Sequence, residues 1–423
     1  MPSPQRSTGL PDVDAHRLLT RIRELAKIGA DPRGGVTRAG FSAADRLGIA
    51  YVADQARGAG LEAEVDQAGN LIVRRPNADR SRPAVLMGSH LDTVVQAGPL
   101  DGAYGVLAAL DVVQVLAGYQ EPLRYEPVAI AFANEEGALF PCPFWGSLAV
   151  SGRLERTADD LVDRSGCSLR EPLRAIGGDP DAVAAAKWRA GSIGAYLELH
   201  IEQGPALEGT GNRIGVVEGI TGRTVFSVTV HGAAGHAGTV PMDYRADALT
   251  TAARVVLAVE ELARSQEVCT VATVGRFQIE PDVTNVIPGV VRMTIDVRDL
   301  SPQRLRGAEE ALYAALATVA TDTRTRVQVE VTDRITGAVT DPGLRATIRA
   351  AADELGLPSL DLPSGAGHDA QMIAPVAPIG MIFVPSEGGV SHVPEENTSD
   401  DDLVAGARVL LRTAMRIGLD DPS

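Results

Sequence analysis

The sequence predicts an α/β fold: a main α/β domain with a mixed sheet, plus an inserted βαββαβ (ferredoxin-like) domain. Three observations predict it. From Val85 the chain repeats a short apolar run, a polar or Gly-rich turn and a helix-period segment. Runs such as VAIAFA (128–133) are apolar without alternation, as in central strands buried on both faces. Between about Val216 and Asp333 the order becomes β-α-β-β-α-β, the split-βαβ arrangement, which folds as a unit.

Taken in order, AVLMGSH (84–90) reads as a strand that leads into a helix over Asp101–Gly118. VAIAFANEEG (128–137) is a second strand with its turn, leading into FWGSLAVSG (144–152). In the insert, TVFSVTVHG (224–232) is a strand, Tyr244–Arg264 a helix, and VCTVATVGRF (268–277) and VVRMTIDVR (290–298) two more strands. Pro302–Thr321 is a helix and RVQVEVT (326–332) the last strand. The main domain resumes near Asp341, so the expected division is 1–215, 216–333 and 334–423, the first and last segments forming one domain. In largely parallel sheets of this kind, the loops at the strands' carboxyl ends form the functional crevice.

Composition narrows the function. Across 423 residues, 39 Lys and Arg stand against 55 Asp and Glu, a formal charge of −16, which disfavours binding to a phosphate backbone and hence to nucleic acid. Cys142, Cys167 and Cys269 are widely spaced with no CxxC, which fits neither a disulfide framework nor a thiolate zinc site. A reducing, cytoplasmic setting is expected. The N-terminal MPSPQRSTGLPDVDAH lacks the apolar core of a secretory signal. The apolar stretch Gly105–Gly118 is broken by Asp111 and Gln114 and is too short for a membrane span.

His90, His200, His368 and His392 follow apolar runs in polar, Gly-rich settings. Singly, each reads as a hydrogen-bonded loop or core histidine; their company points to metal. In GSHLDTV an extended HxD turns His90 and Asp92 to one face, where Asp92 can accept the second imidazole N–H and fix its tautomer. In PLDGAYG, Asp101 sits before a glycine at a helix start, placed either to cap the helix or to bridge two cations. Glu135 and Glu136 end a buried strand side by side, an arrangement that is costly without a cation or proton to offset it. Neighbours in extended chain point apart, so one can ligate metal while the other serves as general base. LELHIEQGP adds His200 and EGGVSHVPEE adds His392. The set His90, Asp101, Glu136, His200 and His392 mixes imidazole and carboxylate without thiolate, as expected of a hydrolytic two-metal centre.

GSHLDTV, PLDGAYG, NEEGALF, LHIEQGP, GHAGTVPM, VTNVIPG, TIDVR, SGAGHDA and GVSHVPE together resemble the amidase/hydantoinase-carbamoylase branch of the M20 metallopeptidase family, from about Gly29 to the C-terminal helix. The resemblance implies two divalent ions (Zn, Mn, Co or Ni), one held by His90, Asp101 and His392, the other by Asp101, Glu136 and His200, with Asp101 as bridge. It implies Glu135 as general base, and Asp92, through its hold on the His90 imidazole, is counted with it among the catalytic residues. His236 of GAAGHAGT becomes a donor to the substrate's carbonyl oxygen. In relatives this residue can enter the partner subunit's site, so the insert is expected to serve as a lid and dimerisation domain in a homodimer. Asn285 and Arg298 match binders of substrate carboxylate, and Gln203 is a further substrate contact. His368 stays off the ligand set, and Leu139 stands where relatives often carry a basic residue. The expected reaction is hydrolysis of the ureido C–N bond of a small carboxylate-bearing substrate, an N-carbamoyl-L-amino acid. Allantoate hydrolysis, an aminoacylase or dipeptidase activity and a non-catalytic metal-binding assembly role are the rivals.

Overall fold

The computed structural model describes residues 11–119, 123–265 and 267–419. The chain divides into two compact units, Met1–Glu218 with Thr340–Ser423, and Gly219–Val339. The division falls a few residues beyond 215/216 and 333/334, because strands Ile214–Ile220 and Arg326–Ile335 run on past those points.

The first unit is a mixed α/β structure on a large mixed sheet. Its centre is four parallel strands in the order Glu126–Phe132, Ala84–His90, Ile193–Ile201, Ile379–Val384. Antiparallel strands Leu71–Arg74 and Glu62–Val65 extend one side, and Ile214–Ile220 pairs antiparallel with Ile379–Val384 on the other. Every residue of Ala84–His90 and of Glu126–Phe132 is buried, as unalternating apolar runs require. Each fully buried Val, Leu or Ile side chain contributes roughly 1.5–3 kcal/mol.

Helix Ala103–Ala117 is buried on nearly all sides. Its one charge, Asp111, is met by Arg17 Nε at 2.6 Å and Arg21 Nη1 at 3.3 Å, and Gln114 accepts from Arg21 Nη2 at 2.8 Å. The polar residues that interrupt this apolar stretch therefore tie a core helix to the helix Ala15–Leu25. No helix among the described residues is long and apolar enough to cross a membrane.

The second unit is a four-stranded antiparallel sheet in the order Arg326–Ile335, Gly222–His231, Val290–Asp299, Val271–Glu280. Burial alternates strictly along Gly222–His231, and its inward residues Phe226, Val228 and Val230 pack with residues of helices Ala248–Arg264 and Pro302–Thr323 in one core. The first of these helices starts four residues later than its periodicity suggests. Asp247 caps it by accepting from Leu249 N at 2.9 Å and Thr250 N at 3.1 Å, and Met242–Tyr244 forms a separate turn.

Candidate active site

The carboxyl ends of the four parallel strands converge on one cluster. His90 ends its strand, Glu135 and Glu136 follow Glu126–Phe132, His200 lies one residue from the end of Ile193–Ile201, and Ile379–Val384 leads to the loop carrying His392. Asp101, two residues ahead of helix Ala103–Ala117, sits among them. Its Oδ1 is 3.1 Å from His200 Nε2 and 3.6 Å from His90 Nε2; its Oδ2 is 2.9 Å from His392 Nε2. His392 Nε2 is also 3.2 Å from Glu136 Oε1, and His90 Nε2 is 3.7 Å from Glu135 Oε2.

Three groups bring their ligand atoms within 4.8 Å of one another: His90, Asp101 and His200; Asp101, Glu136 and His392; His90, Glu135 and Glu136. This corrects the pairing expected from sequence. His200 belongs with His90 because their strands are hydrogen-bonded neighbours, and His392 comes in over Glu136 from the far loop. Asp101 is common to two of the three groups, those that contain His200 and His392.

Asp92 also differs from expectation. Its backbone carbonyl, not its carboxylate, lies 2.9 Å from His90 Nδ1. The carboxylate is 3.9 Å from that nitrogen and accepts instead from Glu135 N (3.0 Å) and Glu136 N (3.1 Å). The strand ends at His90, so two-residue alternation no longer governs Asp92. The pairing of His90 Nδ1 with Asp92 O, and of His200 Nδ1 with Ile201 O at 2.9 Å, leaves each Nε2 facing the cluster.

Gln203, expected to contact substrate, stands at the shared aspartate. Its Nε2 donates to Asp101 Oδ2 at 2.9 Å, while its buried Oε1 has no hydrogen-bond partner. Glu396 escaped the sequence reading, although it stands in the same VPEE run as His392. Buried, it accepts from Leu100 N (2.9 Å) and Asp101 N (3.1 Å) and from Ser391 Oγ (2.7 Å), and so fixes the backbone of the shared aspartate. Asn134, Gln203 and His392 all hold left-handed backbone, φ 53°, 60° and 60°. Such conformations cost of order 1–3 kcal/mol each and persist where surrounding contacts dictate them. For Asn134 those contacts run from Nδ2 to Phe140 O (3.1 Å) and Cys142 O (3.0 Å).

His368 is buried, its ring 4.7 Å from that of His200 and its Nε2 2.8 Å from Ser364 Oγ, and it joins none of the three groups. Leu139 is half-buried and packs on the hydrophobic core.

In the second unit, strands Gly235–His236 and Val286–Ile287 pair and bring His236 beside Asn285, whose carbonyl accepts from Ala237 N at 2.9 Å. His236 is exposed, and its Nδ1 accepts from Gly238 N at 3.0 Å, which leaves the neutral ring's N–H on Nε2 as a donor. Arg245, unflagged by sequence, holds this turn through Ala237 O (2.6 Å) and Val240 O (3.0 Å). Arg298 makes a two-point pair with Asp296, Nε to Oδ1 at 2.9 Å and Nη2 to Oδ2 at 3.0 Å.

Electrostatics fit a cation site. Burial and the charges of Glu136, Asp369, Asp92 and Asp101 push the Glu135 carboxyl well above its ordinary value. Burial alone would raise Asp101, but hydrogen bonds from His200 and His392 hold it well below. Burial would lower His200, but Asp101 lifts it to about 9. Asp101 and Glu136 lift His392 to about 10. Protons thus occupy the positions that the donor set offers to cations. Loading must displace them, so the apparent affinity for each ion is expected to fall as pH falls, by about one log unit per pH unit for the one histidine proton it displaces. Calorimetric titration with Mn2+ between pH 6 and 8 checks this; a flat affinity would contradict it.

Residues 86–416 match the Peptidase family M20/M25/M40. The chain is 38% identical over 405 residues to an N-carbamoyl-L-amino acid amidohydrolase of Geobacillus stearothermophilus, covering 96% of this chain and 99% of that one. It is 36% identical to an allantoate amidohydrolase of Bacillus subtilis, covering 92% and 94%. The crystal structure of an amidase of the hydantoinase/carbamoylase family from Burkholderia multivorans superposes with a TM-score of 0.90 at 35% identity, over 97% of this chain and 99% of that one. With a ligand-bearing sheet of this form and a family match across most of its length, the chain belongs to the Peptidase family M20/M25/M40.

Proposed function

We propose that this protein is a two-metal amidohydrolase that cleaves the carbamoyl C–N bond of an N-carbamoyl-L-amino acid, releasing the amino acid, carbon dioxide and ammonia. The observation that carries the reading is Asp101, whose two oxygens each face a separate histidine-containing donor group. His90, Asp101 and His200 would hold one ion, and Asp101, Glu136 and His392 the other; the all-nitrogen-and-oxygen set suits Zn, Mn, Co or Ni. Divalent ions held there would supply the positive charge that acidifies a water and polarises the carbonyl.

Glu135 takes the proton from the attacking water and passes it to the departing nitrogen, a task suited to a carboxyl whose pKa is raised. Asp92 keeps Glu135 and Glu136 in register by holding both backbone N–H groups. Gln203 orients Asp101, and its unpartnered Oε1 is an acceptor for a ureido N–H. His236 offers its Nε2–H to the carbonyl oxygen as negative charge develops there. Asn285 and Arg298 receive the substrate carboxylate, Arg298 exchanging the two-point pair it makes with Asp296 for an equivalent one.

The second unit is proposed as lid and dimer contact. Strand Val271–Glu280 is an edge of its sheet, and Val271 (47%) and Phe277 (39%) are exposed on it, with Leu257 (62%) on a neighbouring helix. A monomeric sedimentation coefficient for the native protein would remove this part of the reading.

The test is ammonia release by the Mn- or Co-loaded protein with N-carbamoyl-L-amino acids, N-carbamoyl-β-alanine and allantoate side by side. Faster turnover of a carbamoyl-L-amino acid is expected. The 36% identity to an allantoate amidohydrolase supports a second reading, which preference for allantoate would establish. Cleavage of N-acetyl amino acids or dipeptides alone would replace both.

A further inference from the structure

A cavity lies at the opposite ends of the strands that carry the donor cluster. Ala84 and Glu126 open the strands whose carboxyl ends lead to His90 and Glu135, and Ser192 immediately precedes the strand bearing His200; all three line this cavity. A seven-residue strand separates it from the metal-ligand cluster, roughly 20 Å. Its volume is about 250 Å³, and Arg74, Arg80, Arg82, Arg189 and Trp188 line it.

Two of these guanidinium groups, those of Arg74 and Arg189, are poorly compensated. Arg74 stacks over Trp188, Cζ 5.1 Å from the ring centroid, with its side chain only 14% exposed. Its buried Nε has no hydrogen-bond partner, and the Glu64 carboxylate, at 3.8 Å, is too far to supply one. Burial, and then the like charge of Arg80, both work against Arg74 staying charged. The two carboxylates that line the cavity are already engaged, Glu126 with Arg75 and Asp79 with Arg82. Glu126 accepts from Arg75 Nε (3.2 Å) and Nη2 (2.7 Å) and from Asp79 N (3.3 Å). Asp79 accepts from Ser81 N (3.0 Å) and Ser81 Oγ (2.6 Å) and lies 3.2 Å from Arg82 Nε. Arg80 is shared between Glu62 (3.4 Å) and Glu64 (3.2 Å). Arg189 has no ion pair among the described residues. Four arginines line the cavity in a chain of net charge −16. The repulsion of Arg74 by Arg80, and the orphaned Nε, are what a bound dianion would relieve.

We propose that this cavity binds a small divalent oxyanion, a phosphate group or a compact dicarboxylate, through Arg74, Arg80 and Arg189. Trp188 provides the readout. It is one of two tryptophans, and the other, Trp145, is fully buried with Nε1 donating to Ala68 O at 2.9 Å. The metal-loaded protein is titrated with inorganic phosphate, with succinate and with sodium chloride at matched ionic strength while tryptophan emission is followed.

A saturable change with phosphate assigns the phosphate class, and one with succinate alone assigns the dicarboxylate. Arg189→Ala, at an exposed position, should raise the dissociation constant about tenfold or more by removing one charge-assisted contact. Arg74→Gln should weaken binding at least as much, and Trp188→Phe should silence the emission change while binding persists by calorimetry. Substrate turnover by Arg189→Ala without added phosphate should match the parent. The proposal is overturned if neither anion gives a saturable response beyond that of chloride. It is also overturned if Arg74→Gln and Arg189→Ala both bind as tightly as the parent.

Discussion

Glu135→Gln is expected to lower kcat by about 10²–10⁴-fold, the usual worth of a positioned general base, while metal content stays at the parent level. The substitution keeps the side chain's shape and leaves the backbone N–H of residue 135 on Asp92, so the neighbouring candidate ligand Glu136 is not displaced. What it removes is the ability to take and return a proton. The sign of the stability effect separates this from unfolding. The folded-state pKa of Glu135 lies well above its ordinary value of 4.5. Ionising it as pH rises through that folded pKa therefore costs the metal-free protein stability, and a neutral amide avoids that cost. Metal-free Glu135→Gln should accordingly melt no lower than the parent at neutral pH. Initial rates, metal analysis and thermal melting on one preparation decide the matter; turnover within a few-fold of the parent would reject the assigned base.

How much of this site the sequence discloses depends on the range of the interaction. Apolar runs that end in His90, in Asn134-Glu135-Glu136 and in His200 mark strand ends. Parallel strands deliver their ends to one rim, so the donor set is legible as a set. The grouping within it is not. It follows from which strands are hydrogen-bonded neighbours, here Ala84–His90 with Ile193–Ile201, and no local pattern encodes that. Glu396 illustrates the same limit: it holds Asp101 N across 295 positions, and before folding it is one acid in a run of two. Arg38 is a further case. Fully buried, it donates from Nε to Leu91 O at 2.7 Å and accepts the Thr93 N–H at 3.0 Å, so it clamps the turn that contains Asp92. A lone arginine in TRAGF carries no sign of that role. In the second unit, the alternation of Gly222–His231 is visible residue by residue, while the start of helix Ala248–Arg264 depends on which of several polar residues caps it.

Gly102→Ala should cost the protein its metal. Gly102 holds φ 63° and ψ −49°, a combination that residues with a Cβ rarely adopt, between Asp101 and the first residue of helix Ala103–Ala117. A Cβ there would lie 2.4 Å from His90 Cε1 and 2.5 Å from both ring nitrogens. His90 cannot retreat, because its Nδ1 is held by the Asp92 carbonyl and its side chain is almost fully buried. Either the ring rotates away from Asp101 or the turn that carries Asp101 shifts, and both outcomes break the donor group of His90, Asp101 and His200. Backbone strain of about 1–3 kcal/mol adds to the clash, so a lower melting temperature is expected together with substoichiometric metal and a loss of turnover. Gly209→Ala is the matched control. It lies in helix Ala206–Thr210 with nothing within 4 Å of its would-be Cβ, and it should be neutral or stabilising by about 0.4–1 kcal/mol. Metal analysis of the two variants after identical loading makes the comparison. If Gly102→Ala bound the parent complement of metal, the close approach of this turn to His90 would have no bearing on the site.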